Sequence, residues 1–268
     1  MNNDKFSKNS SPNDTISHQQ TLILIGLAGL AAVVLAVIPW LGPLNYSFRL
    51  LITLVHELGH GLAALLTGGT FVRFLVSSDG SGLAYTAGGW RFFVIPAGYL
   101  GVALFGAILI MLGRNHRWSR IAMVVIGLIM ILFSLRYGTP SIFTNQMLSG
   151  LLTTVSGVFF GSLFLLVALK ASDRWIIFLL HFIAIRAGLT AFSDIVTVIG
   201  LSIPSLTPAR SDAQSMADLT FIPAIMWAVL WAIVATVIMV SAVWFTWLKP
   251  GRIQIRATDK SPRRLPLS

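Results

Sequence analysis

The chain has no cysteine, which excludes disulfides and thiolate metal sites and leaves no sign of its redox compartment. Charge is scarce as well. Asp, Glu, Lys and Arg together make up 10% of 268 residues, against about 25% in a typical soluble protein. Acidic residues are the rarest part of that fraction: there are nine, and Glu57 is the only glutamate. What fills the chain instead is apolar. Hydrophobic residues reach 56% and the mean hydropathy is +0.82. This is the composition of an integral membrane protein. The net charge of +10 gathers in short connecting segments and the C-terminal tail. It therefore points to membrane orientation and anionic lipid, and no nucleic-acid partner is expected.

Residues 1–20 are polar with no apolar period and read as a disordered tail. Residues 21–248 read as one multi-span membrane domain, and residues 249–268 as a basic, proline-containing tail. The expected class is an all-α polytopic membrane protein of about six to seven transmembrane helices, carrying one short β-hairpin. The apolar runs read as spans cover residues 21–39, Phe48–Leu66, Phe92–Leu112, Ile121–Leu135, Leu148–Leu169, Trp175–Leu201 and Phe221–Leu248. Leu41–Asn45 reads as a turn, Arg114–Arg120 as a basic loop and Ser202–Leu219 as a polar loop. Between the second and third runs the pattern changes. Thr70–Ser77 is β-branched and aromatic, Ser78–Gly82 is a turn, and Leu83–Trp90 is a second short strand, so a hairpin is expected there. An exposed strand edge of this kind can capture an extended peptide by strand addition.

The second run carries His56-Glu57-Leu58-Gly59-His60. On a helix, residues i and i+4 share a face, so the two imidazoles can aim at one metal ion. Glu57 beside them is placed to act as general base on water at that metal. With one glutamate and five histidines in the chain, HExxH would arise by chance in about three of ten thousand such sequences. A carboxylate inside a membrane span is costly and usually functional, which weighs against a merely structural polar cluster.

The Trp175–Leu201 run holds three further ionisable residues, His181, Arg186 and Asp194. Two histidines, a carboxylate and a water form a common catalytic zinc set, so Asp194 is the first choice for third ligand. His181 is 13 positions away, roughly 1300° of helical rotation, and cannot share one ion with Asp194 on a straight helix. Asp212, in the polar loop, is the alternative.

The motif with Gly61, the Gly68-Gly69 break, the hairpin, and Ala97-Gly98-Tyr99-Leu100-Gly101 resembles the M50 family of intramembrane metallopeptidases. The likeness is to its M50B-like branch, relatives of the site-2 proteases. It implies zinc held by His56 and His60 with a distant aspartate, Glu57 as catalytic base, and a hairpin that presents the substrate strand. Phe71, Val72, Phe74, Val76, Gly82 and Tyr85 are then the expected substrate contacts. The chain departs from the site-2 pattern at Asp194, where Ile195 stands in place of the usual glycine.

With seven spans, the balance of Lys and Arg favours an external N-terminus and places the hairpin outside. The resemblance implies a cytosolic hairpin. The two agree if Trp175–Leu201 does not cross fully. Three functions follow in order of preference. The first is a zinc endopeptidase in the cell membrane, acting on a membrane-protein or peptide substrate. The second is a scaffold that retains the motif without catalysis. The third is an ion transporter using His181, Arg186 and Asp194.

Overall fold

A computed structural model describes residues 18–201 and 211–248; the side chains at 18, 39 and 191–201 lie outside that description. The two expected tails thus fall almost wholly outside the described residues. The elements in order are α1 (His18–Val37), α2 (Gly42–Leu66), β1 (Thr70–Val76), β2 (Gly82–Ala87), α3 (Arg91–Val94), α4 (Ala97–Leu112), α5 (His116–Phe133), α6 (Met147–Lys170), α7 (Asp173–Leu201), α8 (Asp212–Thr220) and α9 (Ala224–Val243).

Five of the described helical segments are long and apolar enough to cross a membrane: Gln19–Val37, Gly42–Leu66, His116–Phe143, Met147–Lys170 and Ala224–Leu248. α4 has 16 residues, roughly 24 Å at 1.5 Å per residue, and is the short helix of the set. The class expected from sequence, helices with one hairpin, is the class observed.

Boundaries differ where local chemistry overrides hydropathy. Leu41–Asn45 is not a free turn, because α2 begins at Gly42 with Pro43 in its first turn. Proline is tolerated there, since its missing N–H is one the helix leaves unpaired anyway. The Phe92–Leu112 run is broken at Pro96 into α3 and α4. The basic loop is in large part the first turn of α5, capped by Asn115, whose side-chain oxygen accepts from the N–H of Arg117 (2.9 Å) and Trp118 (3.4 Å). Likewise the polar loop contains α8, capped by Ser211 on the N–H of Gln214 (3.2 Å).

α4 is the centre of the bundle, packed against α2, α7 and α9, while α5 lies on α6 and α1 on α7. Small residues permit the closest approach: a Cβ added at Gly127 of α5 would stand 2.8 Å from the Gly161 carbonyl of α6. α2 closes at Gly68, whose φ of +81° lets the Gly69 N–H return to the Ala64 carbonyl at 2.8 Å.

The hairpin then folds back along α2. β1 and β2 pair antiparallel from Thr70 opposite Ala87 to Val76 opposite Gly82, with a bulge at Val72. It is pinned on both sides. Phe71, Phe74 and Val76 are buried; the Phe71 ring lies over Gly61 and stacks on Tyr137 at 4.4 Å. From α6, the Thr153 hydroxyl accepts from the Val76 N–H (2.6 Å), and from the Thr139–Phe143 turn that precedes α6 the Ser141 hydroxyl donates to the Phe74 carbonyl (3.0 Å). From α2, Thr53 donates to the Gly80 carbonyl (2.8 Å) and Tyr46 to that of Ser78 (2.9 Å).

Candidate metal centre

α2 carries His56, Glu57 and His60 on consecutive turns, and the expected i, i+4 geometry is what the helix delivers. The two Nε2 atoms are 3.1 Å apart. A third atom joins them from the far end of the chain. Asp212 Oδ2 lies 3.0 Å from His56 Nε2 and 3.2 Å from His60 Nε2. The structure brings Asp212 there by packing α8. Ala213 and Met216 on its inner face are buried with Ile95, Trp227, Ala228 and Trp231, and the Trp227 indole N–H donates to Thr220 (2.9 Å). Asp212 is the first residue of the helix, so docking that apolar face leaves its carboxylate over α2.

The residues present fit a divalent ion. His60 Nδ1 donates to the Val94 carbonyl at 2.8 Å, which in a neutral ring leaves Nε2 as a lone pair facing the Asp212 carboxylate. Two acceptors at 3.2 Å repel unless a proton or a cation lies between them. Zinc held tetrahedrally at about 2.0–2.1 Å would set its ligand atoms roughly 3.3 Å apart, close to the observed triangle. Hydrogen bonding of the second ring nitrogen to a carbonyl is also the usual support for a metal-bound histidine. His56 is braced differently, by the edge-on ring of Tyr99 with centroids 4.7 Å apart.

Asp212 lies outside the spanning segments. Burial alone would raise its carboxyl, but positive charge at His60 Nε2, carried by a proton or a cation, and the hydrogen bonds with both histidines outweigh it and hold the group well below the usual carboxylate range.

Glu57 is buried between the histidines and β2, where Gly82 faces its side chain. Two glycines keep this centre open. A Cβ at Gly82 would strike the Glu57 side chain, with Cγ at 2.7 Å; a Cβ at Gly98 would lie 2.5 Å from both His60 Nε2 and His56 Cε1. Gly98 is the residue that sequence reasoning underrated. Its motif reads as helix packing, and only the histidines facing it show that the missing side chain is space for the site.

The centre opens into a cavity of about 650 Å³, walled by α2, the length of β2, α3, Tyr99, Thr190 and α8. The Val76 N–H turns away from β2 to Thr153 and the Phe74 carbonyl turns away to Ser141, so their partners Gly82 and Ala84 turn their backbone groups away from β1. By the two-residue alternation of a strand, Thr86 does the same. Among the described residues, β2 therefore presents a free edge along the cavity.

The other expected site residues are placed as follows. Phe71, Phe74 and Val76 point into the core, Val72 is exposed at the bulge, and Gly82 lies on Glu57. Tyr85 faces α6, under the Arg73 guanidinium at 3.9 Å and hydrogen-bonded to Gln146 at 3.1 Å. Asp194 belongs to the end of α7, and its side chain lies outside the described residues. His181 and Arg186 are buried apart from the centre: the His181 Nδ1 donates to the Ile177 carbonyl (2.8 Å), and Arg186 donates to Asn45.

No curated protein and no solved structure matches this chain. A family model does: the one described as Peptidase M50B-like aligns with residues 28–242, a stretch running from within α1 almost to the end of α9. That span includes both motif histidines, the hairpin and Asp212, and the chain belongs to the Peptidase M50B-like family, which implies a membrane metallopeptidase.

Proposed function

We propose that the chain is a zinc-dependent endopeptidase of the cell membrane that cuts a peptide bond in or near a transmembrane segment of a membrane-protein substrate. The observation that carries this reading is the meeting of Asp212, from α8, with His56 and His60 beside Glu57 on a helix long and apolar enough to span, under a free strand edge. His56 Nε2, His60 Nε2 and Asp212 Oδ2 would hold the ion. Bound there, zinc supplies Lewis-acid polarisation of the scissile carbonyl and makes water more acidic.

The remaining work falls to the chain's own side chains. Glu57 takes the proton of the attacking water and returns a proton to the leaving amide nitrogen. A substrate helix must unwind before its carbonyl is accessible, because that carbonyl is engaged within the helix. The outward backbone groups of Gly82 and Thr86 offer the unwound segment hydrogen bonds in exchange, and the cavity walls exclude bulk water from them.

The test is Glu57→Gln in purified, zinc-loaded protein with a reconstituted membrane substrate. Zinc content should be unchanged, and turnover should fall about 10²- to 10⁴-fold. Undiminished cleavage by the variant would remove Glu57 from the mechanism, and absence of cleavage by both forms would favour a non-catalytic membrane scaffold.

A further inference from the structure

The peptidase reading leaves the substrate unspecified, and two arginines at the ends of the cavity narrow it. β2 runs alongside α2 in the same direction: Gly80 lies by Arg49 and Thr53, Gly82 by Thr53 and Glu57, and Gly89 by Ala64 and Thr67. Arg49 stands two turns before His56, against the turn that opens β2; a Cβ at Gly80 would lie 2.8 Å from its Nε. Arg91 stands just past the other end, after Gly88-Gly89-Trp90, one turn before the Val94 carbonyl that holds His60. Both line the cavity and both are exposed.

Among the described residues, Arg49 and Arg91 are the only charged side chains lining this cavity besides Glu57 and the His56–His60–Asp212 cluster. Neither takes part in the ion pairs His56–Asp212, His60–Asp212 and Arg120–Asp173. Arg49 is attracted by Asp79 in the hairpin turn without forming such a pair. A chain with only nine acidic residues has set two cations at the two ends of one strand edge, with the reacting groups between them.

Resting on the peptidase reading, we infer that the preferred substrate is an extended peptide with acidic side chains on both flanks of the scissile bond, one reaching Arg49 and the other Arg91. From Arg49 to the level of Ala64, beside which Gly89 lies just before Arg91, is fifteen helical residues, roughly 22 Å, which an extended peptide covers in about seven residues. The flanking acids are therefore expected about six to eight positions apart, with the cleaved bond inside that window.

The experiment uses the full chain, zinc-loaded in detergent. Five fluorophore–quencher peptides share one apolar window: one has Ser at both flanks, and the other four carry Asp or Lys at one flank with Ser at the other. Cleavage is measured with the wild type, and binding of the same peptides with Glu57→Gln. The Asp-flanked peptide should be favoured over the Lys-flanked one by about three- to tenfold at each end, and the preference should shrink in 1 M salt, where charges are screened within about 3 Å. Arg91→Lys should keep the preference. Arg49→Glu and Arg91→Glu should each reverse it at one end only, an effect that a fold defect would not produce. Cleavage with no flank preference would overturn the inference and leave the peptidase standing. Acid-selective binding without cleavage would uphold the inference and sink the peptidase. Neither binding nor cleavage of any peptide would overturn both.

Discussion

Gly98→Ala separates a metal centre from a coincidental polar cluster. The added methyl would stand 2.5 Å from His60 Nε2 and from His56 Cε1, against roughly 3.5 Å for an unstrained contact. The rings must therefore give way by about 1 Å, because α4 has little room to withdraw. Its other faces are packed against α7 and α9, where a Cβ at Gly106 would already stand 3.0 Å from the Met239 sulfur and 3.4 Å from the Ala184 carbonyl. Metal sites hold ligand distances to within about 0.2 Å, so the displacement is several times the tolerance. The expected result is zinc affinity weakened at least about 100-fold, with a comparable loss of peptide hydrolysis. Overpacking of this size costs about 1–3 kcal/mol, so the protein should still fold. Metal content after chelator competition gives the affinity, and thermal unfolding in detergent checks the fold. Gly101→Ala is the companion variant: its methyl makes an ordinary van der Waals contact, and it should retain zinc. A Gly98→Ala protein with wild-type zinc affinity and turnover would refute the reasoning, since the methyl would then have found space that the structure does not contain.

Other substitutions probe neighbouring parts of the centre. Asp212→Ala should abolish zinc retention and Asp194→Ala should leave it intact; measured metal content with the opposite pattern would return the third ligand to α7. Gly82→Ala pushes a methyl against Glu57 and should lower kcat about tenfold or more while zinc stoichiometry stays unchanged, because the base moves and the ligands do not. Met216→Ala removes a fully buried anchor of α8, a loss worth about 2–5 kcal/mol at a well-packed site, and should weaken zinc binding in chelator competition although no ligand has changed.

The sequence reveals what is local. His56, Glu57 and His60 are legible because 3.6-residue periodicity alone places them, and the hairpin is legible because β-branched runs flank a Ser-Asp-Gly-Ser-Gly turn. Asp212 was the second choice because nothing local brings it inward. It is 156 residues from His56, in a stretch too polar to count as buried, and its position depends on Ala213 and Met216 finding Trp227 and Trp231. The signal available was the Ser211 cap with an apolar i, i+3 pair behind it, which marks a short amphipathic helix and not a loop. Hydropathy likewise could not separate α3 from α4, since Pro96 interrupts the helix without interrupting the apolar run. Nor could alternation tell which hairpin side chains face a substrate. β1 turns its large residues to the core, and the edge of β2 is open through its backbone, which no side-chain pattern reports.

The separation of the metal ligands also has a meaning in time. During synthesis His56 and His60 leave the ribosome 156 and 152 residues before Asp212, an interval of roughly 8 to 30 s at ordinary elongation rates. On the proposed function, the nascent chain carries through that interval its general base and two of its three ligands with no means of closing the triangle, and a hydrolytic centre in a membrane crowded with other newly inserted segments would stay inert until Asp212 is made. On the same reading, the centre closes only once α8 has been made and α9 has followed to seat it through Trp227 and Trp231.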